Sequence, residues 1–303
     1  SPSVFTPGEL DASLAPDTDS TFRFRISATT SLGLNGSHEA NTGIDASGNS
    51  VNLETFQHDV NIDMYVLQPS MSFAASDDLN IELRLPIRRL VRRAKIIAST
   101  TDAVDRAAMQ RHLDLHHPSA TLTGIGDLQV EMHSPQAPQW RWGFGLPTGH
   151  TEPNPYTLGE DNKAHEHVQF GTGTVVPRGM YVWSEDNYMM STAVSLPLYA
   201  NSHGFTPPPE LSFYAGLRNE FSSDWRWSVG SSMRVQGYGD WSGTRDVNTG
   251  YAALLADVAL THITDNGSWH YGVMIPVVQE LFSDGSDLFE FGTTFAVTFS
   301  PVW

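Results

Sequence analysis

The chain has 303 residues, 40% hydrophobic and 11% aromatic, and carries 34 acidic against 17 basic residues for a formal charge of -17. That balance excludes nucleic acid as a partner, and the absence of cysteine excludes disulfides and thiolate metal sites. No run approaches the ~18 apolar residues of a membrane-spanning helix, but transmembrane β-strands escape that test because half of their residues face away from lipid.

Residues 1–19, "SPSVFTPGELDASLAPDTD", show no sustained pattern and are expected to form a short periplasmic tail ahead of a domain covering 20–303. From there apolar and polar residues alternate, the mark of a half-buried strand. "TFRFRISATTSLGLN" aligns Phe22, Phe24, Ile26 and Ala28; "DVNIDMYV" aligns Val60, Ile62, Met64 and Val66. "LNIELRLPI", "GDLQVEM" and "QWRWGFGLP" repeat the pattern, followed by a less regular strand at about 168–183 and another at 188–198. Segments at 210–221, "WRWSVGSSMRV", "YAALLADVALTHI", "WHYGVMIPVV" and the closing "DLFEFGTTFAVTFSPVW" bring the number to twelve.

The links alternate in length. Short turn sequences near 76–78, 134–138, 184–187, 222–224 and 264–268 are separated by long links at about 35–57, 88–123, 147–166, 199–209, 237–249 and 281–287. This rhythm predicts an all-β fold: a transmembrane antiparallel up-and-down β-barrel of twelve strands, with short periplasmic turns and long extracellular loops. An even strand number puts both termini on the periplasmic side. Trp140, Trp183, Trp225, Trp269 and Trp303 fall beside the short turns or at the terminus, the pattern of half an aromatic girdle at a membrane–water boundary. A water-soluble β-fold with core tryptophans is the competing reading, but it gives no reason to cluster them at one class of turn.

Three segments resemble a known family. "GIGDLQVEM" (124–132), "WGFGLPTGH" (142–150) and "QFGTGTVVPRGMYVW" (169–183) are similar to the outer-membrane proteins named for the meta-pathway of phenol degradation. The matching positions are Gly124, Gly126, Asp127, Leu146, Pro147, Thr148, Gly149, Gln169, Gly171, Thr172 and Gly173, within about 60 residues of the middle of the chain. The resemblance implies a barrel that passes or binds small organic compounds, and it brings no catalytic residues.

On the face opposite the apolar one, the strands predict a lumen lined by Arg23, Arg25, Asp63, Glu82, Arg84, Asp127, Glu131, Arg141, Arg218, Glu220, Arg226, Arg234, Asp257 and Glu290. Both signs occur, which suits a wet or salt-bridged interior and not a dry core. In the 88–123 link, "RRLVRRAKII" is the one basic run. It is placed either to meet lipopolysaccharide phosphates or to fold inward as a constriction or plug. The segment after it, with Ser99, Thr100 or Thr101 as N-cap, predicts a loop helix. There His112 and His116, spaced i, i+4, together with His117, His165 and His167, are candidate ligands for Zn²⁺, Cu²⁺ or Ni²⁺.

The function expected is a channel or transporter for small, aromatic or hydrophobic solutes in the outer membrane of a Gram-negative bacterium. Its partners would be membrane lipid, lipopolysaccharide and, through a last strand whose terminal Trp303 resembles an insertion signal, the barrel-assembly machinery. The alternative is a loop-closed barrel whose histidine-rich outer surface binds a metal or a protein. An outer-membrane hydrolase is disfavoured: no G-x-S-x-G occurs, and the adjacent His133 and Ser134 would point to opposite faces of a strand. No catalytic residues and no obligatory cofactor are expected.

Overall fold

A computed structural model describes residues 22–155, 157, 169–247, 249–282 and 288–301. The tail at 1–19, His165, His167 and Trp303 lie outside the described residues. The alternating segments form one closed antiparallel barrel. Its strands are β1 (Phe22–Ile44), β2 (Ser50–Ser76), β3 (Leu79–Arg84), β4 (Ile87–Ile97), β5 (Ala120–Ile125), β6 (Leu128–Ser134), β7 (Ala137–Leu146), β8 (Val176–Glu185) and β9 (Tyr188–Ser195). They continue with β11 (Glu210–Ser222), β12 (Trp225–Gln236), β15 (Tyr251–Thr264), β16 (Gly267–Leu281), β17 (Leu288–Glu290) and β18 (Thr293–Pro301), while β10 (Phe205–Thr206), β13 (Gly239–Trp241) and β14 (Thr244–Asp246) form a separate small sheet. Three barrel strands are broken once each, β3/β4 at Pro86, β5/β6 at Gly126 and β17/β18 at Gly292, so fifteen pieces make twelve staves.

Closure is between β1 and β18, paired from Ile26 opposite Phe299 to Leu32 opposite Thr293. Lipid supplies no hydrogen-bond partner for a sheet edge, so the first and last staves must meet. The five turns at the opposite end from the long links are each two residues, between Ser76 and Leu79, Ser134 and Ala137, Glu185 and Tyr188, Ser222 and Trp225, and Thr264 and Gly267. The outward registers carry a belt of exposed apolar side chains, among them Ile26, Leu67, Leu217, Val258, Ile275 and Phe295. This inverts the packing of a water-soluble fold and is the surface of a barrel immersed in lipid. Beside the two-residue turns, Trp140 packs on Tyr181, Trp225 stacks on His262 at 4.2 Å between ring centroids, and Trp269 meets Phe299. Trp183 lies two residues before the end of β8.

The long links hold more structure than turn chemistry alone predicts. The 35–57 link is the continuation of β1 and β2, joined by a tight turn in which Asp45 accepts the backbone N–H groups of Ser47 and Asn49. The 88–123 link is β4, a helix and β5. Above Tyr65 and Leu67 the outward face of this hairpin becomes polar, with Arg93 on Asp63 at 2.7 Å and Lys95 on Asp59 at 3.5 Å. The wing therefore stands in water beyond the apolar belt. Gly33, at φ +76°, sits in the bulge where β1 changes phase, and Gly292 crosses it so closely that a Cβ there would collide with the Leu32 carbonyl. At this crossing the alternation flips. Below it Ala296 and Thr298 face inward; above it the register sets Phe289 inward and leaves Glu290 exposed on the outer face.

Candidate functional site: the barrel interior and its outer cap

Inward-facing residues follow from register. On the β1–β7 side, Arg25, Glu82, Arg84, Glu131 and Arg141 share neighbouring rows and form one buried ladder. Arg25 reaches Glu82 at 2.5 Å, Arg84 reaches Glu82 at 2.8 Å and Glu131 at 3.1 Å, and Arg141 reaches Glu131 at 3.1 Å. Glu82 is 4% exposed. Charges so far from solvent persist only when each is engaged by opposite charge and hydrogen bonds. Arg178 on β8 extends the ladder and donates to the Gln129 side chain. Between Glu131 and Arg178 in the register stands Gly143, where a Cβ would collide with the Val130 carbonyl of the neighbouring strand.

The other side of the interior is different. Met180, Val182, Met189 and Tyr214 form an apolar cluster on β8, β9 and β11. Small hydroxyl residues line much of the remaining wall: Ser228, Ser232, Thr261, Thr298 and Ser27 are all buried, with Ser27 and Thr298 hydrogen-bonded across the closing seam at 2.9 Å. Within this wall Asp257 is buried and accepts the Ser232 hydroxyl at 2.5 Å. Arg234 interacts electrostatically with Glu210 and Asp257. Thr261 and Ser268 both bond the buried His270 ring.

The residues expected to line the lumen thus have several fates. Arg25, Glu82, Arg84, Glu131, Arg141, Arg234 and Asp257 lie inside the wall. Arg23 and Arg218 hold inward registers nearer the short-turn rim, where Arg218 donates to Ser184. Glu220 and Arg226 pair at 2.7 Å at the rim itself, half exposed. Asp63 and Glu290 differ from the expectation and face outward. The phase shift at Gly292 carries Glu290 across, whereas Asp63 lies outward because β2 keeps a single phase in which the even residues Phe56, His58, Val60, Ile62 and Met64 are the inward row. The basic run divides between faces for the same period-two reason. Arg88 and Arg92 turn inward and donate to the backbone carbonyls of Phe170 and Pro118, while Arg89, Arg93 and Lys95 turn outward.

Asp127 has a distinct role, and it gathers the three family-like segments. Its carboxylate accepts the N–H of Gly149 at 3.0 Å, the N–H of Thr172 at 2.8 Å and the Thr172 hydroxyl at 2.5 Å. Thr148 donates to the Gly126 carbonyl and accepts the N–H of Leu128. Gly149 and Gly171 approach so closely that a Cβ on either would lie within 2.7 Å of the other's backbone. The clasp fastens 148–151 and 169–174 beside the break in β5/β6, above the end of β7, with the buried Phe170 ring against Gly124.

Over the wing lies helix α1 (Ala103–His116), capped by Asp102, whose side chain accepts the N–H groups of Val104 and Asp105. The cap is one to three residues later than the expected Ser99, Thr100 or Thr101. Ala108, Met109 and Leu113 are buried against the inward face of the β1–β2 hairpin, and Arg111 holds the Ile44 carbonyl at 2.7 Å. The helix does bring His112, His116 and His117 together, and it adds a fourth ring that was not singled out. His58 on β2 is fully buried, with ring centroids 5.9 Å from His112 and 5.2 Å from His117; His112 and His116 are 4.6 Å apart. Its signal was available in Phe56, His58, Val60 and Ile62, a continuous inward row. Burial holds the His116 ring below the usual imidazole range. Among the described residues, no group of three or more His, Asp or Glu is placed to hold a metal ion.

No family model and no curated protein matches the chain. Among solved structures it is similar to an outer membrane channel from Pseudomonas putida F1, with a TM-score of 0.50 and 10% identity over 95% of this chain and 98% of that one. It also aligns with the P. putida toluene transporter TodX (TM-score 0.44, 8% identity, 98% and 92% coverage) and with the monoaromatic hydrocarbon channel CymD (TM-score 0.48, 5% identity, 99% and 94% coverage). At 10% identity the likeness to the first of these is one of fold alone, that of a closed antiparallel β-barrel.

Proposed function

We propose that the protein is an outer-membrane channel for small solutes with an apolar or aromatic body. The observation that carries this reading is a closed twelve-stave barrel with an apolar outer belt around an interior divided between an apolar cluster and polar walls. A wall lined with Ser, Thr, Gly and Ala leaves space in a barrel wider than the side-chain-filled eight-stranded case. The Met180–Tyr214 cluster offers an apolar body a surface, and the polar wall opposite offers a substituent hydrogen bonds. The three segments gathered at Asp127 support kinship with the family named for the meta-pathway of phenol degradation. Helix α1, anchored over the wing, is suited to narrow the outer mouth, and Arg89 among the outward basic residues is suited to meet lipopolysaccharide phosphate. Both termini would lie at the short-turn, periplasmic rim.

Planar-bilayer conductance and uptake of labelled benzyl alcohol into liposomes test the reading. Stepwise conductance and saturable uptake are expected. A correctly folded barrel, shifted in mobility on heating, that neither conducts nor admits the solute overturns it.

A further inference from the structure

The clasp lies on the inner side of the wall. Gly124 is the register partner of the inward Arg88, so a side chain there would point into the barrel. A Cβ on Gly124 would lie 2.6 Å from the Phe170 ring, so the ring fills the inward space that this glycine leaves open. Asp127 faces the same side, beside the inward Gly145, and holds Thr172 there. The level is that of the hydrocarbon: Ile87 and Ile125, paired next to Arg88 and Gly124, are exposed and apolar on the outer face. Helix α1 packs higher, against Gly43 and Ile44 near the tip of the wing. Irregular backbone at membrane depth persists only where it is buried in protein or lines a cavity, with its polar groups engaged. Phe170 and Gly171 both donate their N–H groups to the His150 carbonyl, at 3.1 and 2.9 Å. Arg88 donates to the Phe170 carbonyl at 2.9 Å, and the Asn201 side chain donates to the Thr172 carbonyl at 3.1 Å. The strap 169–174 is thus anchored from four separate stretches of chain: β4, the β5/β6 break, His150 and the link after β9.

We infer that this strap is the constriction of the channel at its outer mouth, and that the Phe170 ring, seated against Gly124, sets the largest cross-section of solute that passes. Whatever is held inside a closed wall narrows the lumen by its own thickness, and here that is a backbone segment together with an aromatic ring. The residue at 124 decides how far the ring stands from the wall. Glycine gives it the deepest seat, and any larger side chain displaces it toward the barrel axis. The inference rests on the channel reading and adds what limits the size of the solute.

The test measures single-channel conductance, and uptake of labelled benzyl alcohol and of the bulkier labelled naphthylmethanol by liposomes holding the full-length barrel. Heat-modifiable mobility shows which variants have folded. Phe170→Ala should raise the conductance and the ratio of naphthylmethanol to benzyl alcohol uptake severalfold. Phe170→Leu, which keeps an apolar anchor on Gly124, should fall between it and the unaltered barrel. Gly124→Val should do the reverse, lowering conductance and excluding naphthylmethanol. Combining it with Phe170→Ala should return both readings at least to their original level. Conductance and uptake ratio unchanged in Phe170→Ala, or no fall in Gly124→Val, overturns the inference and leaves the channel standing. Absence of both conductance and benzyl alcohol entry in the unaltered barrel overturns both.

Discussion

Two stretches of the barrel wall, five staves from β1 to β7 and four from β8 to β12, are unlike. From β1 to β7 the staves, β7 excepted, are long or broken, the interior is charged, and the outer end rises out of the membrane to carry α1 and the clasp at Asp127. From β8 to β12 the staves are eight to thirteen residues, pair without a break, and enclose Met180, Val182, Met189 and Tyr214. Lengths near 9–11 residues are what a tilted strand needs to cross the hydrocarbon. The second stretch is thus a bare membrane wall, and the first stretch carries what is specialised. Pro86, Gly126 and Gly33 are the points where stave geometry gives way so that this stretch can leave the plain pattern.

The comparison is broken most directly at the ladder. Replacing Glu82 by Ala leaves Arg25 and Arg84 buried without their carboxylate. A cost of about 3–5 kcal/mol is expected, read as a lower urea midpoint of the folded barrel in detergent. The same truncation of Val182, the matching fully buried position in the second stretch, removes only two methyl groups and should cost about 1–2 kcal/mol. Equal losses at the two positions would erase the distinction.

The clasp comes next. Asp127→Ala removes three charge-assisted or neutral hydrogen bonds at one stroke and should cost about 2–3 kcal/mol. Its particular signature is local: faster protease cleavage within 147–174 while the barrel still shifts in mobility on heating. Uniform destabilisation with no change in cleavage would mean that the clasp supports the whole wall. The smallest effect is expected at the helix. His116 has its proton affinity lowered by burial, so its neutral form favours docking. Docking should be undiminished above the ordinary imidazole value of 6.5 and weaken as pH falls through it, because the undocked ring binds the proton more tightly. His58, His112, His117 and Arg92 face the same space and can only add repulsion. Hydrogen exchange of α1 at pH 7.5 and 5.0 measures this, and His116→Gln should flatten the difference.

The second stretch was largely legible in the sequence: the segments at 188–198, 210–221 and 225–235 fall close to β9, β11 and β12, whereas the strand expected at about 168–183 begins only at Val176, after the segment held by the clasp. Where one face of a strand meets lipid, alternation is enforced along the whole length. The first stretch was legible only in part. Its outer wing has water on its outward face, so Asn35 and Arg93 fell within expected loops and the 35–57 stretch lost its strand character. The break at Gly292 shifts phase without changing composition, which is why Glu290 was placed on the wrong face; Asp63 was misplaced because the apolar row Val60, Ile62 and Met64 faces inward, against the rule that holds in the lipid belt. The family-like segments could be matched, but nothing in their spacing says that Asp127 would bind both Gly149 and Thr172. That contact depends on two chain breaks, more than twenty residues apart, meeting at the same height.

The seam between β1 and β18 has a consequence for how the molecule is made. Ser27 and Thr298 bond across a sequence separation of 271 residues. No partial chain can form that bond, so every shorter product exposes two sheet edges and a lipid-seeking belt to whatever surrounds it. Local hairpins, joined by two-residue turns, can form at once; the seam must wait for the last strand, and contacts so distant in sequence close slowly. The final stave therefore sets the time at which the chain stops being a liability in water and becomes a closed wall in the membrane.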